Sequence, residues 1–115
     1  MLKKKYRLTK RKQFNYIYRK GRSQHSELLT LVFSYCKMQN IKIGFSASKK
    51  VGNSVVRHRA LRLMREAVKP LLDKMTPNHN YIFIAKEGLT GKPLAEIRKA
   101  AEHVLKRAGM LPATQ

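Results

Sequence analysis

Residues 49–67 read KKVGNSVVRHRALRLMREA, and this segment restricts the architecture more than any other part of the chain. At about 100° per residue, a helix capped by Asn53 and running to about Lys69 gathers Val56, Ala60, Leu63, Met64, Ala67, Val68 and Leu71 on one side. His58, Arg62, Arg65 and Lys69 gather on the other, with Arg57 and Arg59 flanking. One side needs a core; the other needs water or an anion. Pro70 lacks an N–H and ends or kinks the helix. Gly52 lets the backbone come close to a ligand, and the free N–H groups after Asn53 are ready for phosphate.

The segments around this helix supply its core. Residues 41–48 (IKIGFSAS) alternate: Ile41, Ile43, Phe45 and Ala47 point one way, and Lys42, Gly44, Ser46 and Ser48 the other. Residues 28–36 read as a second strand with Leu29, Leu31 and Phe33 toward the core and Thr30, Val32 and Ser34 on the small, polar face. The short Lys37-Met38-Gln39-Asn40 connection predicts a hairpin between them. Thr9 is placed to cap a helix of about three turns containing Phe14, Ile17 and Tyr18 and ending at Gly21. Tyr81–Ala85 predicts a buried strand after a loop over 76–80. Pro93 opens a last helix with Leu94, Ile97, Ala101, Val104, Leu105 and Ala108 in one stripe and Gly109 past its end. The expected fold is α+β, a small mixed sheet packed with helices as an α/β sandwich, in the order α-β-β(-β)-α-β-α. It forms one domain over 1–115, with a basic N-terminal segment 1–8 and a loose tail 110–115.

Charge then narrows the function. The 115 residues carry 26 Lys and Arg against 6 Asp and Glu, a net charge of +20. So large a surplus on a small body repels itself unless an anion neutralises it. The cations are concentrated: residues 1–22 hold 10 with no acid, and residues 49–69 hold 7 with Glu66 alone. Nucleic acid ranks ahead of an anionic membrane as partner, because no lipid-seeking face accompanies the cations. Lys10, Arg11 and Lys12 open the first helix, where the macrodipole disfavours them by about 0.3–1 kcal/mol each, so an external anion is implied there. No apolar run reaches the length of a membrane span and no secretory pattern opens the chain, so a cytoplasmic location is expected. Cys36 is the one cysteine and reads as inert, and no Cys or His pair has metal-ligand spacing. His25, His79 and His103 read as solvent-facing or loop histidines. The six acids lie scattered along the chain and offer no evident carboxylate cluster for two catalytic metals.

The 49–67 segment closely resembles the signature of the bacterial ribonuclease P protein component, which runs Lys-x-Gly-Asn-Ala-Val-x-Arg-Asn-Arg with further Arg residues on the same helix. Lys50, Gly52, Asn53, Val55, Arg57, Arg59, Arg62 and Arg65 match that pattern; His58 stands where Asn is usual and Leu61 where Lys is common. The resemblance extends over nearly the whole chain. It implies the protein subunit of a ribonucleoprotein endonuclease that removes the 5′ leader from precursor tRNA, with Mg²⁺-dependent hydrolysis performed by the RNA subunit and neither a catalytic residue nor a cofactor on the protein. It also implies a left-handed β-α-β crossover around the signature helix, against the usual hand. Lys49, Lys50, Gly52, Asn53, Arg57, His58, Arg59, Arg62, Arg65 and Lys69 are then the expected contacts to the catalytic RNA. A cleft lined by Lys12, Phe14, Tyr18, Val32, Gly44 and Ser46 is expected to take the leader. The partners expected are the catalytic RNA and precursor tRNA, with no membrane and no obligatory protein partner. The competing reading is a noncatalytic basic RNA-binding protein such as a ribosomal component; a DNA-binding helix-turn-helix protein fits less well, because this helix follows a strand and buries half its circumference.

Overall fold

A computed structural model describes residues 6–37 and 41–111. Its elements are α1 (Arg11–Lys20), β1 (Arg22–His25), β2 (Leu29–Tyr35), β3 (Ile41–Ala47), α2 (Ser54–Val68), β4 (His79–Ala85) and α3 (Leu94–Arg107). The third strand ahead of α2 is β1, whose sequence, RSQH, carries no apolar alternation.

The strands form one mixed sheet in the order β1-β2-β4-β3. β4 lies antiparallel to β2, with Phe33 opposite Tyr81, and parallel to β3, with Phe45 opposite Phe83. This corrects the hairpin expected between β2 and β3: β4 separates them, and residues 38–40 of the expected connection lie outside the described residues. The physical reason is burial. Tyr81, Ile82 and Phe83 are all fully buried, so the YIFIA segment takes the place covered on both faces and the more polar IKIGFSA takes an edge. The β3–α2–β4 path is thus a parallel crossover, and the signature helix is the element that makes it.

The face assignment of the strands does hold. Leu29, Leu31, Phe33, Ile43, Tyr81, Phe83 and Ala85 meet Ala60, Met64, Ala67 and Val68 of α2 and Ile97, Ala101, Val104 and Leu105 of α3 in the main core. On the opposite face α1 covers a smaller cluster of Leu8, Ile17, Val32 and Ile82, with Phe14 and Ile84 at its margin. Tyr81 donates from its hydroxyl to the Thr76 carbonyl at 2.7 Å, and burial, with a smaller contribution from Cys36, holds that phenol far above its ordinary pKa.

Three local expectations change. Lys10, not Thr9, is the N-cap of α1, and its N–H donates to the Gln13 side chain. Residues 110 and 111 of the expected tail are packed: the Met110 carbonyl accepts from both Thr76 N–H (2.8 Å) and Thr76 Oγ1 (3.1 Å), and Leu111 joins the main core, while residues 112–115, like residues 1–5 of the basic N-terminal segment, lie outside the described residues. His79 belongs to β4 and sits among aromatic rings, so it is no loop histidine.

Gly44 shows how closely α1 is seated. A Cβ there would overlap the Phe14 ring and come within 3.3 Å of Leu8 Cβ. We expect Gly44→Ala to destabilise the protein by about 1–3 kcal/mol in urea denaturation. Adding Phe14→Ala removes the overlap, so the double variant loses less than the sum of the two single losses.

Candidate nucleic-acid interface

The signature segment turns the chain from β3 into α2 through a 3₁₀ turn at Lys49–Val51. Gly52 has φ +152°, and a Cβ on it would lie 2.8 Å from Val56 Cβ, so glycine is needed for packing at the corner as well as for backbone freedom. Asn53 accepts the Val56 N–H at 3.0 Å, and the first turn of α2 holds no acid. The helix start therefore presents backbone N–H groups and a positive macrodipole end in a setting of cations, which suits a phosphate.

The cations expected on one side of α2 separate into two groups. His58, Arg59 and Arg62 are exposed and line a shallow depression of about 650 Å³ with Ser54, Leu63, Glu66 and the 75 % exposed Val55. Lys49, Lys50 and Lys69 are also exposed, Lys69 lying just past the end of α2. Arg65 does not belong with them. It is half-buried with its guanidinium 5.7 Å from the centre of the Phe45 ring, which draws it from the outward row to the β3 edge. Arg57 is half-buried too, and its Nε is shut from water with no hydrogen-bond partner. Among the described residues none of these cations forms an ion pair, so the outward row keeps its charge for an external anion.

The second candidate surface lies on the α1 side of the sheet, and its floor differs from the one expected. Val32 is only 8 % exposed and Gly44 is buried beneath Phe14, because the row Val32–Ile82–Gly44 across the sheet lies directly under α1. These two therefore carry the helix and leave no open floor. The open row is the next one, in which Thr30 and Ser46 flank Ile84, all half-buried. His25 extends it, with Nδ1 3.1 Å from Thr30 Oγ1. Phe14 and the 43 % exposed Tyr18, ring centres 6.4 Å apart, stand on α1 as the wall. Lys12 is exposed, about 140° around the helix from buried Ile17, and faces away from that floor. Sequence reasoning placed Thr30 on the correct face but missed Ile84 and His25. Ile84 looks like core in any apolar strand; only the position of α1 reveals that it is half-open.

Such a wall and floor can stack and cradle an extended strand, and the outward face of α2 can meet a folded polyanion. Among the described residues no three His, Cys, Asp or Glu side chains are grouped to hold a metal, and no helix is long and apolar enough to cross a membrane.

Comparison with known proteins gives the family. The family model for ribonuclease P matches residues 2–109. The chain is 34 % identical over 110 residues to the ribonuclease P protein component of Bacillus cereus strain B4264, covering 95 % of this chain and 96 % of that protein. It is 36 % identical over 107 residues to the corresponding Exiguobacterium protein, covering 93 % of each. The solved structure of the Staphylococcus aureus RNase P protein superposes with a TM-score of 0.83 at 30 % identity, over 93 % of this chain and 98 % of that one. The chain belongs to the ribonuclease P protein component family.

Proposed function

We propose that this chain is the protein subunit of a ribonuclease P ribonucleoprotein, a single RNA-binding domain that assists removal of the 5′ leader from precursor tRNA in the cytoplasm. Its partners are the catalytic RNA and precursor tRNA, with no membrane and no obligatory protein partner. The RNA subunit, with its Mg²⁺, carries the hydrolysis, and this chain contributes no catalytic residue and binds no cofactor of its own. The observation that carries the reading is the division of labour between two surfaces. Arg59 and Arg62, without an ion pair among the described residues, face outward on α2, while an aromatic-walled groove lies across the sheet beside α1. A folded RNA and a flexible leader need those two different kinds of surface.

Reconstitution tests it. The purified protein is mixed with catalytic RNA at low Mg²⁺ and leader removal is followed; cleavage should accelerate, and no acceleration rejects the reading in favour of a basic RNA-binding protein of another kind. Tyr18→Ala removes an exposed ring. It should weaken leader-bearing substrate by about 5–100-fold and leave mature tRNA nearly unaffected.

Each phosphate contact contributes about one unit to the slope of log affinity against log salt. Arg59→Ala with Arg62→Ala is therefore expected to reduce that slope for catalytic RNA by about two. An unchanged slope removes this helix face from the interface.

Asn53→Asp separates capping from phosphate binding. The carboxylate keeps the cap and favours the dipole by about 0.3–1 kcal/mol, so the melting temperature should hold or rise. It also places a negative charge at the phosphate position, so RNA affinity should fall. Equal affinity for both proteins would show that no phosphate approaches the start of α2.

A further inference from the structure

A cavity of about 450 Å³ opens at the corner where α1 ends, β1 begins and α3 finishes, away from both surfaces already described. Its rim carries Tyr16 and Tyr35, which are 51 % and 64 % exposed, together with Lys20 and Arg22. Tyr16 and Lys20 lie one turn apart on one flank of α1, whereas Phe14 and Tyr18 occupy the other flank, with buried Ile17 between them. The corner is thus separated from the groove by the body of the helix.

The cavity is built rather than incidental. β1 begins with Arg22 opposite Phe33, so Ser34 and Tyr35 of β2 extend past its end and leave room there. Tyr35 is held edge-on against His79, with ring centres 5.8 Å apart and planes at 84°. His79 in turn donates from Nδ1 to the Pro77 carbonyl at 2.9 Å, which fixes its ring orientation and tautomer. Ser34 lines the cavity and is 9 % exposed, yet its hydroxyl has no hydrogen-bond partner.

We propose that this corner receives an unpaired RNA nucleobase, stacked on Tyr16 or Tyr35, with Lys20 and Arg22 meeting the flanking phosphate. The inference rests on the reading of this chain as an RNA-binding subunit and adds a third contact to it. Two exposed rings need a π-face that duplex RNA hides in its stack, and the cavity volume suits one small, flat guest. The cations supply the backbone term.

The test uses the full chain with Tyr16→Ala and Tyr35→Ala combined, titrated at several salt concentrations with catalytic RNA, leader-bearing precursor tRNA and mature tRNA. Stacking lost from a neutral ring should weaken binding by about 5–100-fold without changing the salt slope. Lys20→Ala with Arg22→Ala should lower that slope by about two for the same RNA. Weakening confined to the catalytic RNA places the base there; weakening for precursor but not mature tRNA places it in the leader. Tyr16→Phe with Tyr35→Phe keeps both rings and should bind as the parent does, and loss of binding in that variant overturns the stacking role. Affinities of the alanine pair within twofold of the parent for all three RNAs overturn the corner site while leaving the subunit reading intact. A parent chain that binds none of the three RNAs sinks the subunit reading and this inference with it.

Discussion

The pairing of β4 on both of its edges holds the rest of the structure in place. Seven residues of β4 face β2 and the same seven face β3, and its three central side chains are fully buried. Because β4 follows α2 in the chain, the sheet closes only after the basic helix has crossed its face. Both ends of α2 are thereby tied to adjacent strands, and the Gly52–Asn53 corner has one position relative to the sheet. The same strand places Ile82 under α1, leaves Ile84 half-open in the groove and sets His79 against Tyr35. Each candidate surface is therefore positioned by one strand with a fully buried centre, whose two ends lend Ile84 to the groove and His79 to the far corner of the sheet.

The helices differ in what their charges serve. In α3 Glu96 lies in the first turn and Lys106 and Arg107 in the last, the arrangement that the macrodipole favours. Neither α1 nor α2 has an acid in its first turn, and α1 begins at Arg11 with Lys10 as its cap. The chain thus follows the stabilising rule at both ends of α3 and lacks its N-terminal half in α1 and α2, the helices that border the two candidate RNA surfaces. Those departures stabilise nothing in the isolated protein, and an external polyanion is the term that would compensate them.

The sequence made α2, α3 and the strand faces legible because each rests on local periodicity, and burial at Met64, Val104 and Ile43 follows it. Pairing was not legible. A short connection between β2 and β3 carries no trace of a more apolar strand, β4 at His79–Ala85, that displaces one from the other. The strand β1 was hidden because RSQH forms by pairing with β2 and not by pattern. Arg65 was misplaced because a wheel measures angle alone, and the Phe45 ring at the sheet edge decides where that guanidinium lies. Gly44 was read as bare floor for the same kind of reason: its missing Cβ makes room for Phe14, which comes from an element thirty residues earlier.

That last contact bears on how one short helix can serve two surfaces. A ten-residue helix has little stability of its own in water, so its rotation and height above the sheet come from what it buries. Ile17 is 1 % exposed and Phe14 rests on a position that only glycine leaves free. Between them they fix α1 at two points along its length, which prevents it from rolling. A roll in either direction would press one aromatic flank into the sheet and lift the other away, so Tyr18 in the groove and Tyr16 at the corner would move in opposite senses. Close packing resists such a motion. The proposed leader groove and the proposed nucleobase corner are accordingly set by the same two buried contacts, and a loose fit at Gly44 would disturb both at once even though neither includes it.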